Sequence, residues 1–269
     1  MKTNDISVII LLYNTPYKLL QNLSNYKKFD VLILDQSNDI GIKGKILDIL
    51  PKIKYYKITD KNKGFAAGIN HLVKKVKTKY FLCTQPDTLI SHNSILQLKK
   101  TFSLKKNCII SVPKLSKNYN FNKNKSKKNI FKIKEIIGAI FLAEKKKFVK
   151  LKMFDENYFF YWEDIDLSKR IVDSRYDMFV NLNSQAYHLG GKSTEFTIKS
   201  LYIKTSNNKF GEYLFQFKNR KLKLIKIFRQ STTSFFSSFY FLLTFRPIKF
   251  LEKLFVFIGI FKFLFFRLK

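Results

Sequence analysis

Cysteine, glycine, proline and acidic side chains are what this chain has least of. Only two cysteines occur among 269 residues, Cys83 and Cys108, each inside an apolar run that reads as a buried strand. They make neither a disulfide framework nor a metal-ligand spacing, which suits a reducing compartment. Glycine (9), proline (5) and histidine (3) are scarce. A spanning helix needs about 20 apolar residues. The Phe-rich stretches Phe235–Phe245 and Leu254–Phe266 run for only eleven and thirteen positions, and Lys262 breaks the second. The opening Met1-Lys2-Thr3-Asn4-Asp5 lacks a signal-peptide layout, so this region is expected on the cytoplasmic side. No internal repeat is present.

Against 19 acids stand 51 Lys and Arg, a formal charge of +32. Such a surplus draws anions: membrane lipid, nucleotide phosphates or nucleic acid. In this setting Glu163-Asp164-Ile165-Asp166 is out of character, with three acids in four positions after the aromatic run Tyr158-Phe159-Phe160-Tyr161-Trp162. An amphipathic helix begins there. Carboxylates at a helix N-terminus are stabilised by its free N–H groups and dipole, so the cluster reads as a cap. The other reading is a general base against an apolar wall, where desolvation raises a carboxyl pKa.

From Ser7 to about Thr84 short apolar runs alternate with helical patterns. Ser7–Tyr13, Val31–Leu34, Lys54–Ile58 and Tyr80–Thr84 read as strands, and Tyr17–Tyr26, Ile42–Leu50 and Phe65–Val76 as helices. This alternation predicts an α/β fold with a mostly parallel sheet covered by helices. Ser91–Phe102 follows as a helix, Ile109–Pro113 as a strand, Glu135–Ala143 as a strand, Lys145–Leu151 as a short helix and Asp177–Val180 as a last short strand. Lys114–Lys134, rich in Lys and Asn and without an acid, reads as a mobile surface loop. From Lys218 onward there are 12 Lys or Arg and one acid, Glu252, among Phe-rich stretches. Basic amphipathic helices lying on an anionic membrane fit that pattern, and core helices with solvated Lys faces are the alternative. The expected division is residues 1–205 as the α/β domain and 206–269 as the helical tail.

In an open α/β sheet, ligands lie beyond the carboxyl ends of the strands. The polar residues there are Tyr13-Asn14, Asp35-Gln36-Ser37 and Gln85-Pro86-Asp87. Asp35 can reach a base or ribose, or simply end a strand. Asn62-Lys63-Gly64-Phe65-Ala66-Ala67-Gly68-Ile69-Asn70 puts small residues at a helix start, suited to close approach of a phosphate or to tight packing. Asp87 can hold a divalent ion that grips a diphosphate. His188, followed by Gly190-Gly191, is structural unless it converges with Asp87 on such an ion.

Taken in order, these motifs resemble an inverting family 2 glycosyltransferase of the GT-A fold, over residues 5 to 195. The nearest similarity is to the rhamnosyltransferase and galactofuranosyltransferase-like branch of bacterial surface polysaccharide synthesis. Asn62 to Asn70 is nearly the family's Asn-x-Gly-Phe-Ala-x-Gly-x-Asn signature. The resemblance implies that Tyr13, Asn14, Asp35, Asn62, Gly64, Phe65, Gly68, Asn70, Gln85 and Asp87 bind a nucleotide-diphosphate sugar, a dTDP- or UDP-sugar. It implies Asp164 as general base, with Glu163, Asp166 and Trp162 supporting it on the acceptor side. A divalent metal, Mg or Mn, is implied at Asp87 with His188. Gln85 departs from the pattern, because it stands where a strict Asp-x-Asp has its first carboxylate. The implied activity is hexosyl transfer to a hydroxyl of a lipid-linked glycan on the inner face of the cytoplasmic membrane.

Three rivals remain. A polyprenyl-phosphate glycosyltransferase shares the fold, but its Asp-rich motif after the fourth strand is missing here. A basic nucleic-acid-binding protein fits the charge, yet no ordered basic motif appears and the acidic cluster opposes it, so nucleic acid is not an expected partner. An inactive scaffold draws its support from Gln85.

Overall fold

The structure is a computed structural model and describes residues 4–37, 39, 41–116 and 129–268. The chain divides into two compact units. The first comprises Met1–Asp155 with Asp164–Glu195, and the second Glu156–Glu163 with Phe196–Lys269.

In the first unit, β1 (Ile6–Leu12), β2 (Asp30–Asp35), β3 (Ile53–Ile58) and β4 (Tyr80–Thr84) lie parallel in the order β3-β2-β1-β4. Their runs ISVIILL, DVLILD and YFLCT are apolar at successive positions because helices cover both faces of a parallel sheet. Val8, Ile10, Leu12, Ile33 and Leu82 are fully buried among them, each worth roughly 1.5–3 kcal/mol. The helices here are α1 (Tyr17–Leu20), which runs into a 3-10 turn at Gln21–Tyr26, α2 (Gly41–Ile49) and α3 (Phe65–Lys75).

Beyond β4 the sheet changes character. β5 (Thr88–Ile90), α4 (His92–Leu104), β6 (Cys108–Ser116), β7 (Ile130–Ile133), β8 (Ile140–Glu144), α5 (Lys145–Lys150), α6 (Glu163–Val172) and β9 (Asp177–His188) follow. The order continues β8-β6-β9-β5, with β7 also on β9. β4–β8, β6–β8, β5–β9 and β7–β9 are antiparallel and β6–β9 is parallel. The sheet is therefore mixed, not mostly parallel as expected. The parallel rule holds only for strands joined through crossover helices, and the later strands meet by other connections.

Three further expectations are corrected. The surface loop expected at 114–134 contributes strand at both ends, β6 to Ser116 and β7 from Ile130, while residues 117–128 lie outside the described residues. The short strand expected at Asp177–Val180 extends through His188. Its polar half was unreadable as strand because its buried polar groups are satisfied by tertiary partners: the Asn181 amide donates to Gln97 O at 2.8 Å and to Thr101 Oγ1 at 3.1 Å. The strand expected from Glu135 starts only at Ile140, and residues 135–139 are an irregular segment ending in a turn at 138–139.

The second unit is helical, with α7 (Ile198–Lys218), α8 (Leu224–Leu243) and α9 (Pro247–Arg267). α9 packs on both α7 and α8. Tyr158, Tyr213, Leu214, Ile227, Ile260 and Phe263 form its core. Thr197 caps α7 in a reciprocal box with Ser200. Glu212 on α7 takes ammonium groups from Lys209 at 2.5 Å and from Lys226 of α8 at 2.8 Å. Burial acts to raise the Glu212 carboxyl, but the two lysines outweigh it and hold it below the usual range. Among the described residues no helix is long and apolar enough to cross a membrane.

Candidate active site

The carboxyl edge of the parallel strands collects most of the candidate residues. β2 ends at Asp35, which is fully buried and pinned by two donors. The Ser37 N–H donates to Oδ1 at 2.8 Å, and the Tyr56 hydroxyl to Oδ2 at 3.2 Å. Burial, reinforced by the Asp35 charge, pushes the Tyr56 phenol up. The Ser37 hydroxyl in turn accepts from Asn14 N at 2.8 Å, holding Asn14 in a left-handed conformation (φ 45) after β1. Tyr13 accepts from the Thr194 hydroxyl through its carbonyl at 3.2 Å.

Gln36 joins this corner to the glycine motif. Its amide donates to Gly64 O at 3.2 Å and accepts from Lys63 N at 2.8 Å. Asn62 Oδ1 accepts from Gly64 N at 2.8 Å, closing a turn in which Gly64 takes φ 87. That left-handed backbone favours glycine. Gly68 answers a different demand, since a Cβ there would fall 2.6 Å from a Leu11 methyl. The motif thus seats α3 directly against β1. Asn70 turns elsewhere: its amide donates to Phe154 O at 2.8 Å and accepts from Phe154 N at 3.1 Å. It clasps the segment leading to the acidic cluster, and Phe65 meets Phe154 edge-on at 5.8 Å.

Gln85-Pro86-Asp87 leaves the end of β4. Pairing of Thr88 with His188 in the β5–β9 ladder brings His188 Nε2 to 3.5 Å from Asp87 Oδ2. Lys192 N donates to the same oxygen at 3.2 Å. Asp87 Oδ1 and His188 Nε2 are buried and make no hydrogen bond. Such atoms are costly to leave unsatisfied. A divalent cation would satisfy both, so the two side chains fit one, with a ligand's oxygens completing its shell. Among the described residues no third His, Cys, Asp or Glu joins them.

Asp164 reaches the same edge by a route the sequence does not show. β8 runs antiparallel to β4, and Ile140 pairs with Thr84, so the turn before β8 lies beside Gln85. In that turn Gly138 N donates to Asp164 Oδ2 at 2.9 Å, while Ile165 N donates to Oδ1 at 2.9 Å. Ile136 N donates to Ser168 Oγ at 3.1 Å, a second tie between turn and α6. A Cβ at Gly138 would lie 3.5 Å from Asp164 Oδ2 and 3.7 Å from the Phe65 ring, so base candidate and glycine motif meet there. Burial raises the Asp164 pKa, only partly countered by the backbone N–H donors.

The other members of the acidic cluster divide. Asp166 accepts from Arg170 Nε at 2.8 Å, and Arg170 also donates to Leu151 O and Met153 O, so this pair fastens the chain before α6. Glu163 and Trp162 belong to the second unit. Trp162 follows Tyr161 with both in left-handed backbone (φ 69 and 73), a turn costing about 1–3 kcal/mol per residue. Its indole N–H donates to Asn208 Oδ1 at 2.8 Å and its ring packs on Phe215. Tyr56 and the Gly138 N–H escaped the sequence reading. Only Gly138 carried a signal, as a small residue in an apolar stretch.

A mixed sheet with a pinned acid at β2, a glycine-led helix, an Asp–His pair and a half-buried carboxylate on one edge defines a GT-A-like glycosyltransferase fold. The sequence model described as Glycosyl transferase family 2 matches residues 7–172, and the chain belongs to that family. No curated protein matches the chain by sequence. Among solved structures it is similar to the mannosyltransferase PcManGT from Pyrobaculum calidifontis in complex with GDP-Man and Mn2+, with a TM-score of 0.60 and 11% identity over 98% of this chain and 88% of that one. It is also similar to S. aureus TarS 1-349 in complex with UDP, with a TM-score of 0.54 and 13% identity over 96% and 91%. At such identities the likeness concerns the fold.

Proposed function

We propose that this glycosyltransferase moves a hexosyl group from a nucleotide-diphosphate sugar to an acceptor hydroxyl with inversion, in the manner of the rhamnosyl- and galactofuranosyltransferase-like branch. The observation that carries the reading is the Gly138–Asp164 hydrogen bond beside the Thr84–Ile140 pairing, which sets a half-buried carboxylate on the edge that also holds Asp87 and His188. Asp164 takes the proton from the acceptor hydroxyl as that oxygen attacks the anomeric carbon. The bond from that carbon to the diphosphate breaks on the opposite face, and the nucleoside diphosphate leaves. Asp35, with Asn14 and the Asn62–Gly68 turn, holds the nucleotide; Asp87 and His188 would hold a divalent cation. Such a cation, when bound, neutralises charge on the departing diphosphate. The donor is a dTDP- or UDP-sugar, and the acceptor a lipid-linked glycan reached at the inner face of the cytoplasmic membrane. The basic second unit, whose helices carry exposed Phe side chains, supports that acceptor and that location.

A thermal-shift panel of nucleotide-diphosphate sugars, with and without manganese or magnesium, tests the reading. At 100 times its Kd the right donor stabilises the fold by about 2.7 kcal/mol. The metal-dependent part of that shift disappears in Asp87→Asn. Absence of stabilisation by any nucleotide sugar, with metal or without, overturns the reading.

A further inference from the structure

α8 ends in a turn with an unusual occupant. Phe245 N donates to Leu242 O at 3.1 Å and Arg246 N to Phe241 O at 2.9 Å, the pattern of a Schellman cap. The residue between these bonds takes left-handed backbone, and glycine is its usual occupant because a Cβ there crowds the next carbonyl. Here it is Phe245, at φ 54 and 93% exposed. Every residue from Leu242 through Lys249 is exposed, with Leu243 at 77%. Backbone strain and solvated apolar surface therefore coincide at one tip.

The surroundings say what covers it. Arg246, Lys249 and Lys253 are exposed on or beside the tip, against one acid, Glu252. Lys249 places its ammonium 5.6 Å from the Phe241 ring. Apolar and aromatic side chains fringed by cations fit an anionic lipid surface, whose acyl boundary takes the rings while its headgroups take the charges. A second copy fits poorly, because it would set the same three cations against each other in a chain of net charge +32. We propose that the α8–α9 tip, Leu242–Lys249, is an insertion wedge that docks this protein on anionic bilayers. The proposal rests on the membrane-side acceptor reading above but on none of its chemistry.

The test is cosedimentation of the full chain with vesicles of phosphatidylcholine alone and of phosphatidylcholine with phosphatidylglycerol. Binding to the anionic vesicles is expected, weakening with salt. Phe245→Ser should lower the partition coefficient about ten-fold or more, from the lost burial of one large apolar side chain. Arg246→Glu should lower it by a further several-fold, and only on anionic vesicles. Phe245→Gly separates docking from folding: relieved of the left-handed strain, it should unfold at a higher temperature and still bind vesicles more weakly. Unchanged binding in Phe245→Ser overturns the proposal. So does a lipid-free dimer, seen by light scattering, that Phe245→Ser dissolves. A nucleotide-sugar thermal shift on the same samples keeps failure of the wedge distinct from failure of the transferase reading.

Discussion

Replacing Asp164 by Asn removes one negative charge and one acceptor while keeping the shape. The carboxylate now serves two backbone donors, Gly138 N and Ile165 N, each at 2.9 Å. An Asn side chain has one acceptor oxygen and one NH2 group, so one of the two N–H groups loses its partner. That loss costs about 1–3 kcal/mol. The opposite term comes from burial, which raises the Asp164 pKa in the folded state above its unfolded value. The native state therefore holds this proton more tightly, and the group costs stability as pH rises from the unfolded to the folded pKa, in full above both. Asn escapes that penalty, so Asp164→Asn should stay folded with a net change at neutral pH within about 2 kcal/mol, read by urea denaturation. Catalysis should respond far more. Loss of a positioned base typically lowers the rate about 10²–10⁴-fold, or roughly 3–5 kcal/mol in the barrier. The assay is release of nucleoside diphosphate from the donor identified by thermal shift, with extracted lipid as acceptor source. The wild-type kcat/KM should climb with pH through a single ionisation above the ordinary Asp range near 3.9, and this limb should vanish in the variant. Near-normal turnover in Asp164→Asn, with the limb intact, refutes the assignment of the base.

Two further substitutions test the scaffold. Gly68→Ala drives a methyl to 2.6 and 2.9 Å from the Leu11 methyls, and overpacking of this kind should lower the urea-denaturation free energy by about 1–3 kcal/mol. Asn70→Ala strips both backbone groups of buried Phe154 of their partner and should cost about 2 kcal/mol or more in the same assay, with weaker transferase activity because the segment before α6 is no longer clasped. Full stability in Asn70→Ala would show that the clasp is dispensable.

How far the sequence carried depended on the range of the contacts involved. The strands β1, β2 and β4 and helix α3 were legible to within about two residues, because a continuous apolar run or a 3.6-residue period is a local signature of burial. Gly64 and Gly68 stood out for the same reason, one needing a left-handed turn and the other a missing Cβ. β5, at three residues, was too short to show a pattern, and the polar half of β9 looked like loop. Both become strand through partners distant in sequence, β5 on β9 and β9 also on β6, and the β5–β9 pairing delivers His188 to Asp87. The mixed sheet follows from the same limit, since strand direction depends on partners far along the chain.

The acids illustrate the division best. Residue types and spacing alone marked the α/β class, the family motifs and the unusual cluster at Glu163–Asp166. The family resemblance singled out Asp164 among the three acids, whereas residue types alone did not, since cap and base look alike in one dimension. Tertiary structure gives them different surroundings: Asp166 is spent on Arg170 and the chain before α6, whereas Asp164 meets the Gly138 N–H at the sheet edge and is desolvated there. Likewise composition marked the C-terminal region as basic and Phe-rich, but only the folded helices expose Phe245 on a strained turn. Local sequence encodes which surfaces must be buried and which backbone turns are permitted. Which polar atoms end up together is set by chain crossings tens of residues apart, and no local pattern records those.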